Sequence, residues 1–190
     1  MKKTVLLLSI SALLTAACNN ESKDPVEKAD SANKEARKDT TAMAPAPDPA
    51  TSSFLVDAAN GGMAEVALSR LALEKSANAS IKRFADMMVN DHSGANEQLK
   101  LLAAQKNVTL PTDVSEEKKK TADDLMKKSN KDFDKDYVDV MTKDHEKTVD
   151  MFEKASTNVK DADVVAFINN TLPKLRAHLD SIKVIKKNWK

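Results

Sequence analysis

Four long stretches of this chain repeat apolar side chains at three- and four-residue steps, a period that commits each to a helix burying one face. The first, about residues 54 to 75, aligns Phe54, Ala58, Gly61, Glu65, Leu68 and Ala72. The second, about 79 to 106, aligns Ile81, Phe84, Met88, His92, Ala95, Leu99 and Leu102, with Asn78 suited to cap its start. After Leu110-Pro111-Thr112-Asp113 a short helix is expected from about 115 to 128, where Glu116 and Glu117 complement the N-terminal dipole. A third long helix, about 131 to 157, carries Phe133, Tyr137, Met141, His145, Thr148, Phe152 and Ala155 on one side. The last, about 161 to 188, aligns Val164, Ile168, Leu175, His178, Ile182 and Ile185, and Pro173 is expected to kink it. Period-two strand patterns are missing, and after residue 52 the glycines are Gly61, Gly62 and Gly94 and the prolines Pro111 and Pro173. Short connections then favour an all-α fold, an up-and-down antiparallel four-helix bundle with one additional short helix.

The polar residues inside the stripes are the chemically informative ones. The three histidines of the chain, His92, His145 and His178, each fall on the apolar face of a different long helix, and Glu65 falls on that of the fourth. At 1.5 Å per residue, counting from the turns offsets Glu65 and His92 by about 5 Å and His145 and His178 by about 7 Å, so both pairs reach mid-bundle. Two readings stand side by side. Neutral imidazoles and a carboxylate from facing helices are a ligand set for iron, zinc or manganese. Alternatively, each histidine spans the core and satisfies itself by hydrogen bonding to a carboxylate or carbonyl of a neighbouring helix. The phrases Phe84 to His92 and Tyr137 to His145 match at Asp, Met, Asp and His. They put Met88 and Met141 one turn from their histidines, and Asp91 and Asp144 about 100° round the helix, where they serve as orienting groups or face water. Methionines on such a stripe read as adaptable core. The Gly61-Gly62 pair reads as a close helix approach or a bend.

The N-terminus has another character. Lys2 and Lys3, an apolar run from Val5 to Leu14 and small residues up to Ala17 form the three-part layout of a secretory signal, residues 1–17. Leu14-Thr15-Ala16-Ala17-Cys18 resembles a bacterial lipobox, which implies acylation of Cys18 and attachment to a membrane. Cys18 is the single cysteine, so an intrachain disulfide is excluded. Residues 18–52 are rich in Lys, Glu, Asp, Ala, Ser and Thr, with Pro45, Pro47 and Pro49 near the end, and read as a flexible tether reaching on the order of 30 Å. A bundle domain then covers 53–190. Loss of Lys2 and Lys3 with the signal changes the formal charge from +1 to −1. That balance and an aromatic content of 4% leave no footprint for nucleic acid. The lysines at 183, 186, 187 and 190 complement a helix C-terminus and keep its surface soluble.

Taken in order, several short phrases resemble one known family. They are Phe54 with Ala58-Ala59-Asn60-Gly61-Gly62 and Glu65, Asp91-His92, Leu110-Pro111, Phe133-Asp134 with Tyr137, Asp144-His145, and Leu172-Pro173 followed by His178. This series, spanning nearly all of residues 53 to 182, resembles the exported bacterial domain-of-unknown-function family numbered four-one-four-two. The resemblance implies a ferritin-like helical bundle in an exported or tethered protein and no particular reaction. Ferritin-like oxidases place a glutamate three residues before a metal-binding histidine; here Val89, Thr142 and Leu175 stand there, which argues against a two-iron carboxylate site. The expected protein is lipid-anchored in the bacterial envelope, at the outer membrane facing the periplasm. Its expected role is non-enzymatic binding of an envelope protein partner or envelope maintenance, the alternative being a metal-binding or redox protein using Glu65, His92, His145 and His178.

Overall fold

Side chains that take over orphaned backbone donors set where each helix begins. The computed structural model describes residues 24–39 and 48–188, and these form α1 (Pro25–Ala36), α2 (Pro49–Lys75), α3 (Ala79–Gln105), α4 (Glu116–Met126), α5 (Asn130–Asn158) and α6 (Ala162–Lys187). Asp48 accepts from the N–H groups of Ala50 and Thr51, with Pro49 in the first turn, where its missing donor costs nothing. Asn78 caps α3 through the N–H groups of Ser80 and Ile81, and Asp161 caps α6 through those of Asp163 and Val164. At the end of α3 the chain turns through Asn107 at φ 55°, and the N–H groups of Asn107 and Val108 donate back to Ala104 and Ala103 at 3.2 and 2.9 Å. Asparagine tolerates that left-handed conformation, so the helix stops with its last carbonyls satisfied.

α2 packs on α3 and α5, and α6 packs on the same two, so the four long helices enclose one core. α4 lies across α2 and α5. Its start is fixed where the Ser115 N–H donates to Asn60 Oδ1 at 2.8 Å, and its end where Lys75 donates to the Met126 carbonyl at 2.8 Å. It therefore runs beside α2 and delivers the chain to the end where α2 finishes. At the opposite end Lys106, after α3, pairs with Asp161 and Asp163 at the start of α6, at 2.9 and 2.5 Å.

The apolar interior consists of two clusters. One gathers Phe54, Ala58, Leu99, Phe152, Val164, Ile168 and Leu175; the other gathers Leu68, Ile81, Phe84, Met88, Phe133, Tyr137, Met141 and Ile182. Along each long helix one buried polar residue marks the boundary between them: Glu65, His92, His145 or His178. Gly62 serves the close approach of α2 to α3, because a Cβ there would fall on the Asn96 side-chain amide. Gly61 and Gly94 meet no such contact, so packing alone does not account for either, although glycine costs about 1 kcal/mol relative to alanine in a helix.

Three expectations change. Residues 25–36, placed within the flexible tether, form α1, which rests on α2 with Ala29 and Asn33 buried. A search for large apolar side chains overlooks such a contact, since Ala29 and the Asn33 amide make most of it, with Val26 only partly buried beside them. The Asn33 side chain donates to the Thr109 carbonyl at 2.9 Å and accepts from the Thr109 N–H at 2.7 Å. The short helices among the described residues are therefore two, α1 and α4, and α2 starts at Pro49, ahead of the expected boundary. Pro173 lies inside α6, on its exposed side, where the missing hydrogen bond falls in solvent. No described helix is long and apolar enough to cross a membrane. The signal over residues 1–17, Cys18 and Lys190 lie outside the described residues.

Replacing Asn33 by alanine removes both hydrogen bonds to Thr109, and at about 0.5–1.5 kcal/mol each urea unfolding of the variant is expected to show a loss of about 1–3 kcal/mol.

Candidate metal centre

The four polar side chains meet at one level of the core. Helical spacing aims each inward, and Met88 and Met141, both fully buried one turn earlier on α3 and α5, seat the histidine that follows. Ring centroids of His92 and His178 are 5.3 Å apart, and His145 lies 5.7 Å from each. His145 is fully buried, and His92, His178 and Glu65 are nearly so.

Each imidazole is held through one nitrogen. His145 Nδ1 donates to the Met141 carbonyl at 3.0 Å; a carbonyl only accepts, so the proton is on Nδ1. His178 Nε2 donates to Asp91 Oδ2 at 2.9 Å. His92 Nδ1 stands 2.9 Å from Glu65 Oε2, and Glu65 Oε1 stands 3.5 Å from His145 Nδ1. Both are ion-pair distances, the His92 contact being the closer. The nitrogens left over, His92 Nε2, His145 Nε2 and His178 Nδ1, are all buried without a partner. In the neutral rings each is a bare lone pair. While the rings are neutral, three such acceptors lack any donor among themselves, an arrangement that a cation relieves.

The donor set fits a transition metal. The three histidines each offer a nitrogen to a group lying within 4.8 Å of one another. Nitrogens bound to one ion at about 2.0–2.1 Å lie about 3.3–3.6 Å apart, so the rings need to close by less than about 1 Å each. Engaging the second nitrogen of a ligating histidine fixes its tautomer and orientation. Glu65, expected among the ligands, lies instead behind the rings on the Nδ1 side of His92 and His145. There it is a counter-charge.

The two aspartates of the repeated phrase part company. Asp91 supports His178 and lies 3.7 Å from Lys174, whereas Asp144 is taken by Lys118 of α4 at 2.7 Å. Nothing in the sequence pattern singled out Lys118 or the Met141 carbonyl; one sits on an otherwise solvated helix and the other is backbone. A cleft of about 300 Å³ between α3 and α6 reaches His92 and His178.

Burial and charge work against each other here. Burial acts to raise Glu65, but His92 and His145 overcome it and hold the carboxyl at about 2. Burial opposes protonation of His92, yet Glu65 prevails and raises it. His145 is lowered by burial, and His178 is brought down to about 4 by burial with the neighbouring His92 and His145.

A model of the DUF4142 family, described as a domain of unknown function, matches residues 36–185. No curated protein matches the chain. Among solved structures, CopM in its Cu(II)-bound form is 19% identical with a TM-score of 0.62, over 73% of this chain and 98% of that one. CopM in its Cu(I)-bound form is 18% identical with a TM-score of 0.62, over 73% and 96%. The DUF305 fragment from Deinococcus radiodurans is 12% identical with a TM-score of 0.66, over 74% and 97%. At these identities the likeness is one of helical fold.

The lowered histidines give the metal-free protein a stability that depends on pH. The unfolded chain protonates His178 near 6.5 while the folded chain resists until about 4, so stability falls as pH drops through that window. His145 adds in the same direction. His92, raised, works oppositely and loses its contribution as pH rises through its folded value. Urea midpoints measured between pH 7 and 4 are expected to decline, and to decline less steeply in His178→Gln.

Proposed function

The chain belongs to the DUF4142 family, and on that premise we propose that it holds one transition-metal ion between His92, His145 and His178. The observation that carries this reading is the set of three buried, partnerless ring nitrogens, one from each of three helices, each ring anchored through its other nitrogen. A purely structural cluster leaves those lone pairs unexplained. In this reading the four long helices are an antiparallel, ferritin-like four-helix bundle, with α4 as the connection that returns the chain along α2.

An all-imidazole set suits copper, zinc, iron or nickel better than manganese, which favours oxygen. Copper is the first ion to test, since CopM, of similar fold, is described with Cu(II) and Cu(I) bound. Glu65 would balance charge and polarise His92, and Asp91 would orient His178. Such an ion, once bound, supplies Lewis acidity or redox chemistry, but no nucleophile or matched acid and base accompanies the cluster. The role read from this set is binding and handling of metal.

Localisation follows the N-terminal pattern. Cys18, lipid-modified after removal of residues 1–17, would anchor the protein in the bacterial envelope, at the outer membrane facing the periplasm, where envelope proteins are the available partners.

Elemental analysis and equilibrium titration of tag-free protein are expected to give one ion per chain. His145→Gln should abolish that stoichiometry, and Glu65→Gln should weaken binding by about 10- to 100-fold. Equal metal content in the wild-type and histidine variants would refute the assignment. For the anchor, Cys18→Ser is expected to accumulate full-length precursor by mass spectrometry, and normal processing of that variant would count against acylation.

A further inference from the structure

One side of the histidine centre is covered and the other is open. On the covered side α4 packs across α2 and α5, and Lys118 closes on Asp144 with side chains only 19% and 11% exposed. At the matching position of the repeated phrase, Asp91 stands on the open side, where it and Lys174 are 35% and 64% exposed. The cleft between α3 and α6 brings solvent to His92 and His178, and Asp91, Gly94, Thr171 and Lys174 also line it. His145 and Glu65 form no part of its wall. An ion coming this way meets two of the three rings before the third.

Building on the trihistidine reading, we propose that metal ions enter and leave through this α3–α6 cleft and that Asp91 is the carboxylate receiving them at its mouth. Asp91 is placed for the transfer, with Oδ2 on His178 Nε2 at 2.9 Å and Oδ1 toward Lys174 at 3.7 Å. A hydrated cation exchanges water first for an accessible anionic oxygen, and His92 and His178 line the same cleft. Lys174 sets a positive charge beside that oxygen and so restrains entry. Gly94 lines the same cleft, and a Cβ there would meet nothing within 4 Å, so a larger side chain at this position is a means of narrowing the mouth.

Full-length protein mixed with Co(II) alone, followed by its visible absorption, gives the uptake rate, and excess EDTA gives the release rate. Gly94→Trp, at an exposed position where a Cβ meets nothing within 4 Å, is expected to slow uptake and release together by about tenfold, leaving affinity within about threefold. Lys174→Glu should speed uptake several-fold at low salt, an effect that fades as ionic strength screens the charge. The same charge change at Lys186, which pairs with Asp139 away from the cleft, should leave the rate unaltered. Unchanged rates in both cleft variants, with Co(II) still bound, overturn the entry route and leave the histidine centre standing. Failure of the unaltered chain to take up any metal overturns both.

Discussion

A layer of ionisable side chains runs through the middle of the apolar core, and the four long helices are arranged to satisfy it. Every one of them gives up a core position to Glu65, His92, His145 or His178, and the apolar interior is divided into two clusters as a result. Burying such groups is costly unless they neutralise or hydrogen-bond one another. Glu65 supplies the negative charge, the Met141 carbonyl and Asp91 take two ring protons, and one lone pair on each ring remains. That leftover is the feature apolar packing cannot explain and metal coordination can.

The layer also sets the register of the helices. Sliding α3 along α2 by one turn would separate His92 from Glu65 and leave both buried and unpaired, a far larger penalty than mismatching two apolar residues. Gly62 works toward the same end by letting α3 approach until the Asn96 amide lies against the backbone of α2. The two flanking clusters supply burial, while the polar layer specifies alignment.

Much of this was legible in the sequence because both determinants are local. The apolar stripes, the cap at Asn78, and the inward positions of the three histidines and Glu65 all follow from helical geometry. A helix around Glu27 to Lys38 is compatible with the sequence, but its docking is not legible there, because Ala29 and Asn33 pack by smallness and by an amide bonded to Thr109, neither of which registers as a hydrophobic signal. Asp91 and Asp144 looked equivalent in their repeated phrases, yet α4 covers one and leaves the other at a cleft. Only the path of the connecting chain distinguishes them.

Periodicity by itself determined that this chain is helical, which residues face inward, and that four of them are ionisable, because those properties depend on spacing within one helix. The tertiary structure decided which nitrogen of each histidine is engaged, that Glu65 stands behind the rings, and which side of the centre opens to solvent. Those outcomes depend on distances between helices that are far apart in sequence, and on where α4 crosses them, neither of which is written in any local pattern.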